Sequence, residues 1–218
     1  SASARCEREQ KMTNRCLIIS GAPNCFFPSN FKQSDFVIAC DGGYIHAMKA
    51  GIVPDLLVSD FDSFNGAVNP SMEILRAVPE KDDTDTLLAL KEAMRRGYDD
   101  IMIIGGLGGR IDHTLANISL TAFAAQHGAV CHLIDEHHQI FAIHNDSIMV
   151  KKGYWKWLSV FAAGSEVRGV SLRGLKYPLQ EAVLTNTYPI GVSNEFVSSS
   201  AVVTAAQGTL LIVLSDLD

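Results

Sequence analysis

The sequence predicts an α/β fold: a doubly wound, mostly parallel sheet domain over residues 15–145, then a smaller antiparallel β-sandwich or barrel-like domain over 146–218. Three observations point there. Short, nearly unbroken apolar runs alternate with helical periods through the first two thirds, as in a parallel sheet covered on both faces. From about residue 145 the chain turns to short β-rich runs punctuated by Gly, Ser, Asn and Pro, without a convincing amphipathic helix. Finally, 218 residues with 47% hydrophobic and 19% charged character suffice for one large core or two small ones.

Residues 1–14 are polar and aperiodic and are expected to fray. The apolar runs 16–20 (CLIIS), 36–40 (FVIAC), 55–59 (DLLVS), 101–104 (IMII) and 130–134 (VCHLI) read as buried strands, because they show little alternation. Residues 85–96 put Leu87, Leu90 and Met94 on one helical face, and 112–127 align Leu115, Ile118, Ala122 and Ala125. Gly97 and Gly128 stand where helices stop. The boundary is placed in 144–152, where polar residues collect. Beyond it, 157–162, 167–172, 182–186, 201–205 and 209–214 read as short strands.

Composition removes some functions. The net charge is −6 and Lys/Arg never cluster beyond a pair, so there is no basic face to displace counterions from a nucleic acid. No apolar run approaches transmembrane length and no signal peptide is recognisable, so a cytoplasmic location is the expectation. The five cysteines are scattered without zinc spacing, and Cys16, Cys40 and Cys131 lie in apolar runs as buried thiols.

The chemistry lies in the segments that follow strand ends. Asp60-Phe61-Asp62-Ser63 and Lys81-Asp82-Asp83-Thr84-Asp85 gather carboxylates in two short stretches. Such groups repel unless a cation neutralises them, and oxygen-rich acidic sites suit Mg²⁺ with phosphate completing its shell. In an extended segment Asp60 and Asp62 point the same way while Phe61 turns inward. The acid-rich start at 82–85 equally suits a helix cap and dipole, while Lys81 can hold a phosphate as a point charge. Asp41-Gly42-Gly43 is either a plain turn or a place where a ligand meets bare backbone.

Gly105-Gly106-Leu107-Gly108-Gly109-Arg110-Ile111-Asp112-His113 joins a strand to a helix. It is neither a dinucleotide fingerprint nor a P-loop, yet a glycine-rich turn at a helix start offers N–H groups to phosphate. Arg110 can clamp phosphate oxygens, and Asp112 and His113 sit at the helix start. His137 and His138, with His132 and His144 nearby, tempt a metal reading. Adjacent residues of a strand face opposite ways, however, so these are taken as structural or solvent-facing.

In this order the motifs resemble the thiamin pyrophosphokinase family, in its bacterial form. The resemblance rests on Cys40 to Gly43, Pro54 to Ser63, Lys81 to Thr86, Gly105 to Asn117, Gly174 to Leu179 and Gly191 to Phe196. It implies a homodimer of an α/β nucleotide domain and a β-rich domain, transferring the pyrophosphoryl group of ATP to thiamin and releasing AMP. It further implies Mg²⁺ held by Asp60, Asp62, Asp82 and Asp85, with Asp62, Asp85, Arg110, Asp112 and His113 at the transferred group. Asp41, Gly42 and Gly43 would line the nucleotide or metal pocket, and Lys81, Thr84, Gly108, Gly109 and Arg110 the nucleotide pocket. Ser193 and Asn194 would contact thiamin at a site completed by the other subunit. Ser59 replaces the family's usual Gly before the Asp-Phe-Asp, and Cys40 its usual Ala. The residues alone leave two other readings open: a metal-dependent phosphohydrolase, and a regulatory module that binds without turnover.

Overall fold

The computed structural model describes residues 15–29, 31, 35–59, 72–76 and 83–217. Six strands run parallel: β1 (Arg15–Ile19), β2 (Phe36–Cys40), β3 (Leu56–Ser59), β4 (Glu73–Arg76), β5 (Asp100–Ile104) and β6 (Val130–Ile134). Their spatial order is β6-β5-β1-β2-β3-β4. The chain thus winds outward from β1 to β4, then returns to β5 on the other side of β1. The crevice between β1 and β5 is the switch point, where open α/β sheets bind ligands at the carboxyl ends of their strands.

Near-continuous apolar runs follow from burial on both faces. Leu17 and Ile19 pack with Ala47 of α1 (Gly43–Lys49) on one face. Cys16 and Ile18 pack on the other with Ala89, Leu90 and Ala93 of α2 (Asp85–Arg95) and Leu120 and Ala124 of α3 (Ile111–Gln126). Leu17, Ile18, Ile19, Ile101, Ile103 and Ile104 are among the fully buried side chains, each contributing roughly 1.5–3 kcal/mol through burial.

The second half is antiparallel: β7 (His138–Lys151), β8 (Trp157–Ala162), β9 (Glu166–Arg173), β10 (Leu179–Thr185), β11 (Gly191–Glu195) and β12 (Ser200–Ser215). It encloses its own core, with Leu158, Val160, Val167, Val170, Val203, Leu210 and Ile212 fully buried. No linker separates the halves. β7 pairs with β6 and runs straight through 144–152, and β12 accompanies it along its length. Ile140 and Val213 face the α/β core, while Phe141, Ile143, Ile212 and Leu214 face the β core.

The polar run that suggested a boundary is a bulge in this long pair. Asn145 adopts φ 49°, its Oδ1 accepts the Gly208 N–H (2.7 Å), and the register slips between Ala205 and Thr209. The expected strands at 201–205 and 209–214 are accordingly one strand, with Gly208 (φ 103°) absorbing the bulge rather than ending it. α1 was not foreseen, since a seven-residue helix is too short to display a period.

Candidate active site at the carboxyl edge of the parallel sheet

The segments leaving β1, β2 and β5 meet at one edge. Beyond the last paired residues of β1 and β5, Ser20 N–H donates to the Ile104 carbonyl and Ala22 N–H to the Gly105 carbonyl (both 2.8 Å). The backbones are so close that a Cβ on Gly105, itself at φ 63°, would lie 2.4 Å from Ser20 O. A Cβ on Gly43 would lie 2.0 Å from Ile19 O, which fixes glycine at the start of α1.

This packing leaves a turn rich in free donors. Among the described residues, none of the N–H groups of Gly106, Leu107, Gly108, Gly109 and Arg110 has a protein acceptor. A run of unpaired N–H groups leading into the sixteen-residue α3 is electrostatically suited to an anion. Arg110 and Asp112 stand exposed at its rim, joined by Nη2–Oδ2 (2.5 Å) and Nε–Oδ1 (3.1 Å) contacts. The guanidinium holds the Asp112 carboxyl below the usual range, making it a weaker base. Asp112 also accepts the His113 N–H (2.9 Å), and the cap position of α3 falls to Arg110 rather than Asp112.

Asp41 is the group in this region most in need of a partner. It ends β2 with φ 41°, and its Oδ1 is buried without a hydrogen bond. A buried carboxylate oxygen left unpaired costs about 1–3 kcal/mol, and strained, unsatisfied groups of this sort gather at functional sites. A cation or ligand donor beside Oδ1 relieves that cost. Gly42 follows, its backbone in contact with Gly21. Across the crevice, the Asp85 carbonyl accepts from Cys40 Sγ–H (3.6 Å), which seats the start of α2 over the end of β2.

Thr84 takes the capping role that sequence allowed it, its Oγ1 accepting Leu87 N–H (3.2 Å). Asp83 is committed to Lys91 (2.7 Å). Asp60, Asp62, Lys81 and Asp82 lie outside the described residues, and the described residues contain no cluster of three His, Cys, Asp or Glu able to hold a metal. The four histidines singled out in the sequence have separate partners: Asp216 for His137, Asp135 for His138, Gln139 for His132 and Thr209 for His144. Burial raises the thiol pKa of Cys25 to about 11 and of Cys131 to about 12, and lifts Cys16 and Cys40 as well, which keeps all four protonated and inert.

The segments 174–179 and 191–196 are also brought together. Leu175 bridges Phe196, Lys176 pairs with Glu195 (2.6 Å), and Asn194 grips the Tyr177 backbone from both sides. Its Oδ1 accepts Tyr177 N–H (2.9 Å), while its Nδ2 donates to the Tyr177 carbonyl (2.7 Å). Asn194 is 3% exposed, whereas Ser193 is exposed at φ 55°, its N–H held by Ser159 Oγ (2.9 Å). Sequence reasoning missed three side chains that shape the sheet edge: His46, Thr86 and Asn117. Thr86 Oγ1 meets Ser20 Oγ at 3.0 Å. A polar residue on the buried face of α3 was the available signal for Asn117, whereas His46 gave none.

Fold and edge together define a doubly wound α/β protein with a glycine-rich turn of unpaired N–H groups and an appended β domain. The profile described as "Thiamin pyrophosphokinase, catalytic domain" matches residues 27–132, and "Thiamin pyrophosphokinase, vitamin B1 binding domain" matches 143–210. A thiamine pyrophosphokinase from Bacillus subtilis (strain 168) is 30% identical over 209 residues, 91% of this chain and 97% of that protein. The chain belongs to the thiamin pyrophosphokinase family. Among solved structures, thiamine pyrophosphokinase from Bacillus subtilis superposes with TM-score 0.84 at 28% identity, covering 93% of this chain and 100% of that one. A thiamin pyrophosphokinase family protein from Enterococcus faecalis gives 0.80 at 31% identity, covering 94% and 100%. The yeast enzyme, at 14% identity and TM-score 0.73, shares the fold, with 94% and 87% covered.

Proposed function

We propose that this chain transfers the β,γ-pyrophosphoryl group of ATP to the hydroxyethyl oxygen of thiamin. The alcohol oxygen attacks Pβ, the bond from Pβ to the α,β-bridging oxygen breaks, AMP departs, and the alcohol proton is lost to solvent or a nearby acceptor. The observation that carries this reading is the match of both family profiles, in order, to a chain whose sheet edge presents unpaired N–H groups after β5 and an unpaired carboxylate oxygen of Asp41 after β2. Gly106 to Arg110 receive the phosphates through backbone N–H groups. Arg110 exchanges part of its contact with Asp112 for phosphate oxygens, while Gly42 and Gly43 let nucleotide approach the backbone. Asp112, lowered by Arg110, is poorly suited to proton removal; a loose phosphoryl-type transition state needs little help of that kind.

The unpaired Asp41 oxygen fits a cation at this edge, and Asp60, Asp62, Asp82 and Asp85 complete the acidic set assigned to Mg²⁺. When bound, Mg²⁺ supplies charge neutralisation for the polyphosphate and departing AMP. Ser193 faces thiamin, and Asn194 serves that pocket by fixing Tyr177. A homodimer with a shared site, working in the cytoplasm, belongs to the same reading. It rests on the family resemblance, with β11 belonging to the β half and joined to β5 only through β6, β7, β12 and β8. As a test, Asp62→Asn and Asp85→Asn should each cut turnover at least about a hundredfold with the ligand-free melting point preserved. Near-normal turnover in both variants would refute the metal-site assignment.

A further inference from the structure

An N–H cradle is only as good as the peptide planes that carry it. In a planar trans peptide the carbonyl of one residue and the N–H of the next point opposite ways, so tying down the carbonyl aims the N–H. Two successive planes of the glycine turn are tied in this way. The Gly105 carbonyl accepts Ala22 N–H (2.8 Å), which orients the N–H of Gly106. The Gly106 carbonyl accepts Asn117 Nδ2–H (2.9 Å) from the buried face of α3, which orients the N–H of Leu107. Asn117 is 6% exposed. The turn packs closely here, since a Cβ on Gly106 would lie 3.2 Å from Asn117 Nδ2 and 2.7 Å from Leu133 Cδ1. From the other face of the sheet, His46 Nε2–H of α1 donates to the Ala22 carbonyl (2.9 Å), securing the strand-end segment that holds Gly105.

We propose that Asn117, assisted by His46, is a positioning residue for polyphosphate: it touches no substrate and acts by aiming the N–H groups of the Gly105 to Arg110 turn. The inference rests on the reading that this turn receives the phosphates of ATP.

Asn117→Asp tests it, since the shape is kept while the donor facing the Gly106 carbonyl becomes an acceptor. By titration calorimetry of the full chain with Mg²⁺, affinity for ATP and for inorganic tripolyphosphate should fall at least about tenfold, and affinity for thiamin less than about twofold. Lowering the pH should restore tripolyphosphate affinity in Asn117→Asp relative to wild type, because the protonated carboxyl regains a donor. His46→Phe should weaken ATP by about fivefold, whereas His46→Gln, which keeps a donor at the same reach, should not; this pair decides the matter if Asn117→Asp does not fold. Equal losses for tripolyphosphate and thiamin, or a lower melting point with unchanged tripolyphosphate affinity, would overturn the positioning role. Wild-type protein that binds neither ATP nor tripolyphosphate would overturn the phosphate-site reading itself, and the clamp with it.

Discussion

Asp41 carries the conflict on which the account turns. Its backbone sits at φ 41°, and its Oδ1 is buried without a partner. A residue kept for stability alone would relieve both. Asn tolerates the same backbone region and carries no charge, so Asp41→Asn should leave the ligand-free melting point unchanged or raised. Turnover at saturating Mg²⁺ should fall at least about a hundredfold. Lower stability with turnover intact would make Asp41 a structural turn residue. The sequence marked Asp41 as an acid before two glycines, a turn or a ligand-facing segment; its missing partner is a property of packing and has no local signature. The place of Arg110, Asp112 and His113 at the start of α3 was readable from the strand-to-helix junction. Asn117 showed only as a polar residue on the buried face of α3 and His46 not at all, because each acts on a backbone carbonyl outside its own helix, of Gly106 and Ala22 respectively.

At the scale of elements, legibility followed burial. Strands enclosed on both faces, such as β1, β2 and β5, announced themselves as apolar runs, and α2 and α3 announced themselves by period. β7 was lost because His144, Asn145, Asp146 and Ser147 form a bulge and a half-exposed strand, whose polarity imitates a linker. Beyond the site, α2 is tied to β4 by one ionic clip: Glu92 accepts from Arg95 and Arg96, and Arg96 reaches Glu73. The hydrogen bond from Arg95, and then that from Arg96, hold the Glu92 carboxyl down to about 2. A depressed carboxylate contributes stability above its unfolded value, near 4.5, and loses it as pH falls from there toward 2. Urea midpoints of wild type should therefore drop more steeply between about pH 5 and about pH 3 than those of Glu92→Gln. Parallel curves for the two proteins would show that the clip contributes nothing.

For the whole molecule, the glycine-rich turn after β5 and Ser193 in β11 belong to different halves of one continuous sheet. In the proposed homodimer, a shared site would combine the turn of one copy with Ser193 of the other. Mixing Arg110→Ala protein with Ser193→Tyr protein after subunit exchange should then restore about a quarter of wild-type activity, because half the dimers are hybrids and each holds one intact site. Activity no greater than the sum of the separate variants would place each site within one chain. The two-lobed layout was legible from the change of pattern near residue 145, whereas the sharing of β7 and β12 between lobes was not, since strand pairing over such distances leaves no mark on composition.

The most direct measurement is to incubate the purified chain with ATP, Mg²⁺ and thiamin and to separate nucleotides from thiamin esters. The account predicts AMP and thiamin diphosphate in equal amounts, formed only when thiamin and Mg²⁺ are both present. ADP or inorganic phosphate released without thiamin would contradict it, as would ATP left intact by protein that binds thiamin.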